Sequence, residues 1–227
     1  KPHEYYDEKE AEAKSDPTAL VIPRGIGSAW AYMGVSELAQ EMLSYMYQNG
    51  FPSRSVKIFV PCGTGATSMI LNGCMRRELA RLHLPFDRVE VISLTSEEII
   101  PAVKEVKDSF DDVLNTFGYE DYYFDAKTFA NSFLAEPTYL KKPEGWALGI
   151  MTPEMQNLYE LLKNKKGIEF DLVYGIPLWM VMLSRLESLS DSLVMYVHTG
   201  GADGNATMLR IYHERAVTGD QAATIDA

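Results

Sequence analysis

Gly63, Thr64, Gly65, Ala66 and Thr67 follow the β-rich run "SVKIFVPC" and precede the helical run "SMILNGCMRRELARL". A glycine-bearing turn between a strand and a helix leaves backbone N–H groups pointing at one spot, next to the positive end of the helix dipole. With two threonine hydroxyls beside it, that spot suits an anion such as a phosphate. The same layout also serves as a tight strand-to-helix connection whose small residues allow close packing. The turn therefore has two readings, a phosphate site and a packing turn.

Two other glycine-bearing turns stand in comparable places, "VYGIP" around Tyr174 and "HTGG" at Thr199, Gly200 and Gly201. Such turns need a scaffold, and the order of apolar runs supplies one. "TALVIP", "SVKIFVPC", "DRVEVISL", "IEFDLVYG" and "DSLVMYVHTGG" read as strands. Between them, "AWAYMGVSELAQEMLSYMYQNG", "SMILNGCMRRELARL", "SEEIIPAVKEVKDSFDDVLNTFG", "TPEMQNLYELLKNKKG" and "PLWMVMLSRLESL" read as helices. Thr152 is placed to cap the fourth of these, Gly167 to stop it, and Pro177 to open the fifth. Strands alternating with helices predict an α/β fold of three layers, a mostly parallel sheet with helices on both faces. In such sheets ligands gather at the carboxyl ends of the strands, where all three turns fall.

Residues 1–17 read as an acidic extension or surface helix, 18–213 as the α/β domain, and 214–227 as a tail. An aromatic-rich irregular insertion occupies about 109–145. The 227 residues carry a formal charge of -11, which argues against nucleic acid as a partner. No apolar run reaches the ~18 residues needed to span a bilayer. Cys62 and Cys74 form no disulfide framework, which points to a reducing intracellular compartment, cytosol or mitochondrial matrix. Four histidines, none paired at ligand spacing, predict no metal site.

Four stretches in this order resemble the pyridoxal-phosphate enzymes of fold type II, the tryptophan-synthase-β type, and among them the 1-aminocyclopropane-1-carboxylate deaminase and D-cysteine desulfhydrase family. "IPRGIGSAWAYMGVSELAQEM" is similar to that family's Pro-x-Gly-Gly-Ser-Asn segment and following helix, and "CGTGAT" to its phosphate-cradling turn. "TPEMQNLYELLKNKKGIEFDLVYG" resembles the helix and Asp-Pro-Val-Tyr strand, and "VMYVHTGG" the terminal Phe-Ile-His-Thr-Gly-Gly. The likeness spans about residues 18–205 apart from the insertion. It implies the large domain of such an enzyme, with the smaller domain largely missing. It also implies a cofactor phosphate on Gly63 to Thr67, Tyr174 facing substrate, and Thr199 and Gly200 beside the pyridine ring.

The chemistry of that family needs a lysine that forms a Schiff base with the cofactor. The Gly-Asn-Lys-x-Arg-Lys segment that carries it does not occur in this sequence, nor does the Gln-Ser-Asn-His turn. The residue after the motif tyrosine, acidic or hydroxylic in the family and placed near the pyridine nitrogen, is Gly175. Two expectations follow. In one, the chain is a degenerate, non-catalytic relative serving as a structural or assembly subunit, with pyridoxal phosphate absent or not covalently bound. In the other, it is the large-domain part of an active deaminase or desulfhydrase, and another chain or a missing domain supplies the lysine. Both expect other protein chains as partners.

Overall fold

A computed structural model describes residues 2–19, 31–48, 55–83, 89–95, 137–141, 146 and 150–218. "LVIP", the glycines after it and the stretch 96–118 read as helical lie outside the described residues, as does most of the aromatic insertion. The first element, α1 (Pro2–Ser15), is a surface helix laced by local ion pairs, Lys9 with Glu12 and Lys14 with Glu10, each at 2.6 Å. Exposed pairs of this kind contribute little to stability.

In α2 (Ala31–Gln48), the spacing of Ala39, Met42, Leu43 and Met46 puts all four on one buried face, packed toward α3 (Ala66–Leu82). Four parallel strands follow the order β3-β2-β1-β4 among the described residues, with β1 (Ser55–Phe59) and β2 (Val89–Thr95) at the centre. β3 is Thr138–Lys141 and β4 is Ser192–Tyr196. Val56 pairs with Val89 and Leu193, and Phe59 with Ile92 and Tyr196.

Alternation along β1 then decides both faces of the sheet. Val56 and Ile58 join the core under α2 and α3, while Phe59 joins Ile92, Leu94, Leu178, Val181 and Met182 on the other side. The last three come from α5 (Gly175–Leu183), which covers that second face. A third cluster holds Met155 and Tyr159 of α4 (Pro153–Lys166) against Phe170, Leu172 and Ile176. The architecture is thus the expected three-layer α/β arrangement with a parallel sheet.

The local signals at α4 act as read. Thr152 Oγ1 accepts from the Met155 N–H (3.3 Å), and Gly167, at φ +67°, ends the helix with its N–H on the Lys163 carbonyl (3.0 Å). Thr152→Ala is expected to cost about 1 kcal/mol, read as a shift of the urea midpoint. Pro177 stands third in α5 rather than first, where its missing N–H is still harmless because no partner exists inside the first turn.

Three expectations need correction. "IEFDLVYG" is not a strand: Ile168–Asp171 run without sheet partners, and a turn at Leu172–Tyr174 leads into α5. Side chains satisfy the backbone there instead. Asn205 accepts from the Leu172 N–H through Oδ1 (3.0 Å) and donates through Nδ2 to the Phe170 carbonyl (2.9 Å). Second, β3 lies inside the stretch read as irregular, too short to show an alternating pattern. Third, a closing helix, α6 (Asn205–Thr218), follows the paired glycines, an element absent from the sequence reading.

Candidate functional site

Strand β1 has β2 on one side and β4 on the other, and the chain reaches β4 only after building outward to β3. This reversal makes the β1–β4 boundary the switch point of the described sheet, the place where ligands of open parallel sheets gather at the carboxyl ends. Both strands continue one residue past the ladder, Val60 N–H donating to the Ile92 carbonyl and Val197 N–H to the Phe59 carbonyl (both 2.9 Å). From those two points leave the turns Gly63–Thr67 and Thr199–Gly201.

At the first turn, Gly65 stands as N-cap of α3 at φ +88°, a left-handed conformation that a side chain would strain. The helix start has no side-chain cap and no acidic residue in its first turn. This sets α3 apart from α4, capped by Thr152, and from α5, whose entry N–H groups at Tyr174 and Gly175 bond to the Asp171 carboxylate. Gly65 and Ala66 are buried; Gly63, Thr64 and Thr67 are half-buried. Beneath the turn, Ser68 Oγ donates to the Gly65 carbonyl (3.1 Å) and lies 3.7 Å from Cys62 Sγ. Burial pushes the Cys62 thiol above its usual range, so it is a packed thiol rather than a ready nucleophile.

The structure brings Tyr174 to this turn. A Cβ placed on Gly63 would stand 3.3 Å from Tyr174 Cζ and 3.4 Å from its hydroxyl oxygen, so the tyrosine ring lies directly against the glycine. Thr199, Gly200 and Gly201 are exposed, the two glycines at φ +85° and +86°. Their link to the rest of the site runs through Asp171: a Cβ on Gly201 would sit 3.2 Å from the Asp171 Cβ.

Asp171 is buried at the centre of these contacts. Oδ1 accepts from the N–H groups of Val173 (3.0 Å) and Tyr174 (2.7 Å), and Oδ2 from the N–H of Gly175 (2.7 Å). Tyr196, from β4, donates its hydroxyl to the Gly175 carbonyl (3.1 Å). Burial, and then the nearby Asp171 charge, push the Tyr196 phenol far above its usual range, so it remains a donor. His198 is a structural bridge: Gly200 N–H donates to Nδ1 (3.1 Å), which leaves Nε2 to donate to the Glu169 carbonyl (3.0 Å). Phe170, Trp179 and Tyr196 form an aromatic set beside it, Trp179 stacked on Tyr196 at 5.1 Å and Phe170 edge-on to both.

Of these groups, the sequence marks the turns and Tyr174; Asn205, Tyr196 and the aromatic set are found only in the structure. Glu169 collects the Tyr159 hydroxyl, the Lys163 ammonium (3.0 Å) and the Asn205 amide (3.4 Å). Among the described residues, no group of three or more His, Cys, Asp or Glu could hold a metal ion. No helix among them is long and apolar enough to cross a membrane.

No family model matches the chain, and no curated protein does. Twenty-two chains of known structure match. Among them is the crystal structure of an ACC deaminase homologue, 19% identical, with a TM-score of 0.53 over 92% of this chain and 59% of that one. At that identity the likeness shows the fold. The chain spans 59% of the length of the protein it matches.

Proposed function

We propose that this chain is a non-catalytic relative of the pyridoxal-phosphate-dependent deaminases and desulfhydrases, keeping their large-domain scaffold as a structural or assembly subunit of a larger complex. The phosphate end of such a cofactor fits the residues present: the start of α3 is uncapped, opened by Gly65 at φ +88° and flanked by Thr64 and Thr67. When bound in an enzyme of this class, the cofactor supplies an electron sink for carbanion chemistry through an imine to lysine. The described residues do not fit its lysine and ring ends.

The observation that carries this reading is where two of the described lysines stand. Lys57, on the strand that leads to the turn, is closed into an ion pair with Glu90 on the neighbouring strand. Lys163, at the far end of α4, bonds the Tyr159 hydroxyl and Glu169, which hold its ammonium above the usual range. An imine-forming lysine needs the opposite, a neutral amine facing the ligand.

A second reading is favoured by one feature, the intact phosphate-type turn together with coverage of 59% of the matched protein. In it, the lysine comes from another chain or domain of an active deaminase or desulfhydrase. Turnover by the native assembly separates the two. The chain isolated together with its native partners, given pyridoxal phosphate, is expected to release neither ammonia from 1-aminocyclopropane-1-carboxylate nor sulfide from D-cysteine. Release above a no-protein control would contradict the proposal. The subunit role expects the native chain to run within a complex of fixed stoichiometry, and a monodisperse monomer would contradict it.

A further inference from the structure

The start of α5 is an anion site that the chain fills for itself. Three consecutive N–H groups, those of Val173, Tyr174 and Gly175, converge on the Asp171 carboxylate at 2.7–3.0 Å. A Cβ on Gly175 would stand 2.6 Å from Oδ2 of that carboxylate and 3.3 Å from the Tyr196 hydroxyl. A Cβ on Gly201 would stand 3.2 Å from the Asp171 Cβ. Both glycines therefore border one side chain, and Asp171 is short and bonded at both oxygens, so it has little freedom to turn aside.

We infer that the half of the site which the resemblance assigns to a pyridine ring is, in this chain, an internal seat for the Asp171 carboxylate, and that Gly175 leaves the room for it. The assignment of that half rests on the function proposed above; the seat itself rests on the geometry alone. With the carboxylate seated as it is here, a Cβ at 175 would meet Oδ2 at 2.6 Å, so this arrangement requires a glycine at that position. Loss of the carboxylate would leave three donors of the turn without their partner. Asp171 is thus a positioning residue. It sets the start of α5, and with it the Tyr174 ring against Gly63.

A double-mutant cycle on the full chain tests this. Helix propensity alone expects Gly175→Ala, near a helix start, to leave stability unchanged or raise it. The seat expects the opposite, a fall in Tm of about 4–8 °C. Asp171→Ala is expected to lower Tm by a similar amount. In the double variant the two shifts should not add, because the alanine at 175 no longer has a carboxylate to displace. Additive shifts, or a Gly175→Ala protein as stable as the parent, would overturn the inference. A ligand readout stands beside it: pyridoxal, the ring without the phosphate, is expected to give no saturable absorbance change with the parent chain. A saturable change would equally overturn it. A covalent pyridoxyl-lysine in this chain would instead sink the proposed function and leave the stability cycle intact.

Discussion

Asn205→Ala is expected to destabilise the fold by about 3 kcal/mol, among the largest effects of any single polar substitution in the described residues. Asn205 is 2% exposed, and its amide does the work of a missing strand for two backbone groups, the Leu172 N–H and the Phe170 carbonyl. Leaving a buried donor or acceptor unpaired costs about 1–3 kcal/mol each. The segment it holds carries Phe170 into the aromatic set and Asp171 to the start of α5, so the loss should reach the site. Urea unfolding should show a lower midpoint with an unchanged slope. Asn205→Asp should be no milder: it keeps the acceptor for Leu172 but sets an oxygen against the Phe170 carbonyl oxygen. An Asn205→Asp protein as stable as the parent would contradict this account of the segment.

Glu78→Gln is expected to flatten the acid limb of the stability curve. The Glu78 side chain, on α3, is 2% exposed and gripped by two guanidiniums of its helix: Arg77 through Nε (3.0 Å) and Nη2 (2.5 Å), Arg81 through Nε (2.9 Å) and Nη2 (2.8 Å). Burial alone would raise its pKa, but the bonds from Arg81 and Arg77 outweigh it and hold the carboxyl below its usual 4.5. A carboxyl with a lowered folded-state pKa binds its proton less readily when folded than when unfolded. It therefore adds stability above the unfolded value, near pH 4.5, and that stability is lost as pH falls through the folded value. At neutral pH, Glu78→Ala should cost about 2–3 kcal/mol, below the range for fully buried pairs because Arg81 can turn to water. Cys74, whose thiol burial and Glu78 push up to about 12, should become easier to ionise in the Gln variant. Parallel stability curves for parent and Glu78→Gln across the acid range would contradict the assignment.

Where a structural signal was local, the sequence showed it. The cap at Thr152, the stop at Gly167 and the apolar runs of β1, β2 and β4 depend on neighbours within a few residues, so their residue types are sufficient. The stretch at 168–171 misleads for the opposite reason. Its composition suits a strand, but its partner is a side chain at Asn205, 33 residues away from Leu172 in sequence. β3 has four residues, fewer than a period-2 pattern needs to stand out. The glycine turn before α3 is legible as a turn because Gly65 takes a positive φ, which glycine allows at no steric cost. The contact between Tyr174 and Gly63 is not legible from spacing, since α5 brings together residues 111 positions apart. The carboxylate seat at Gly175 could have been glimpsed in the aspartate four residues before it, a common way to open a helix. What hides it is that the bonds run to three successive N–H groups, which only the folded turn aligns.

The central claim is that this chain keeps the fold and phosphate turn without the covalent chemistry. Borohydride reduction after incubation with pyridoxal phosphate, followed by peptide mass spectrometry, tests it most directly. The expected result is that no lysine of this chain, Lys57 and Lys163 included, carries a stoichiometric pyridoxyl group. A single lysine labelled to completion, with an absorbance band that borohydride removes, would contradict the account.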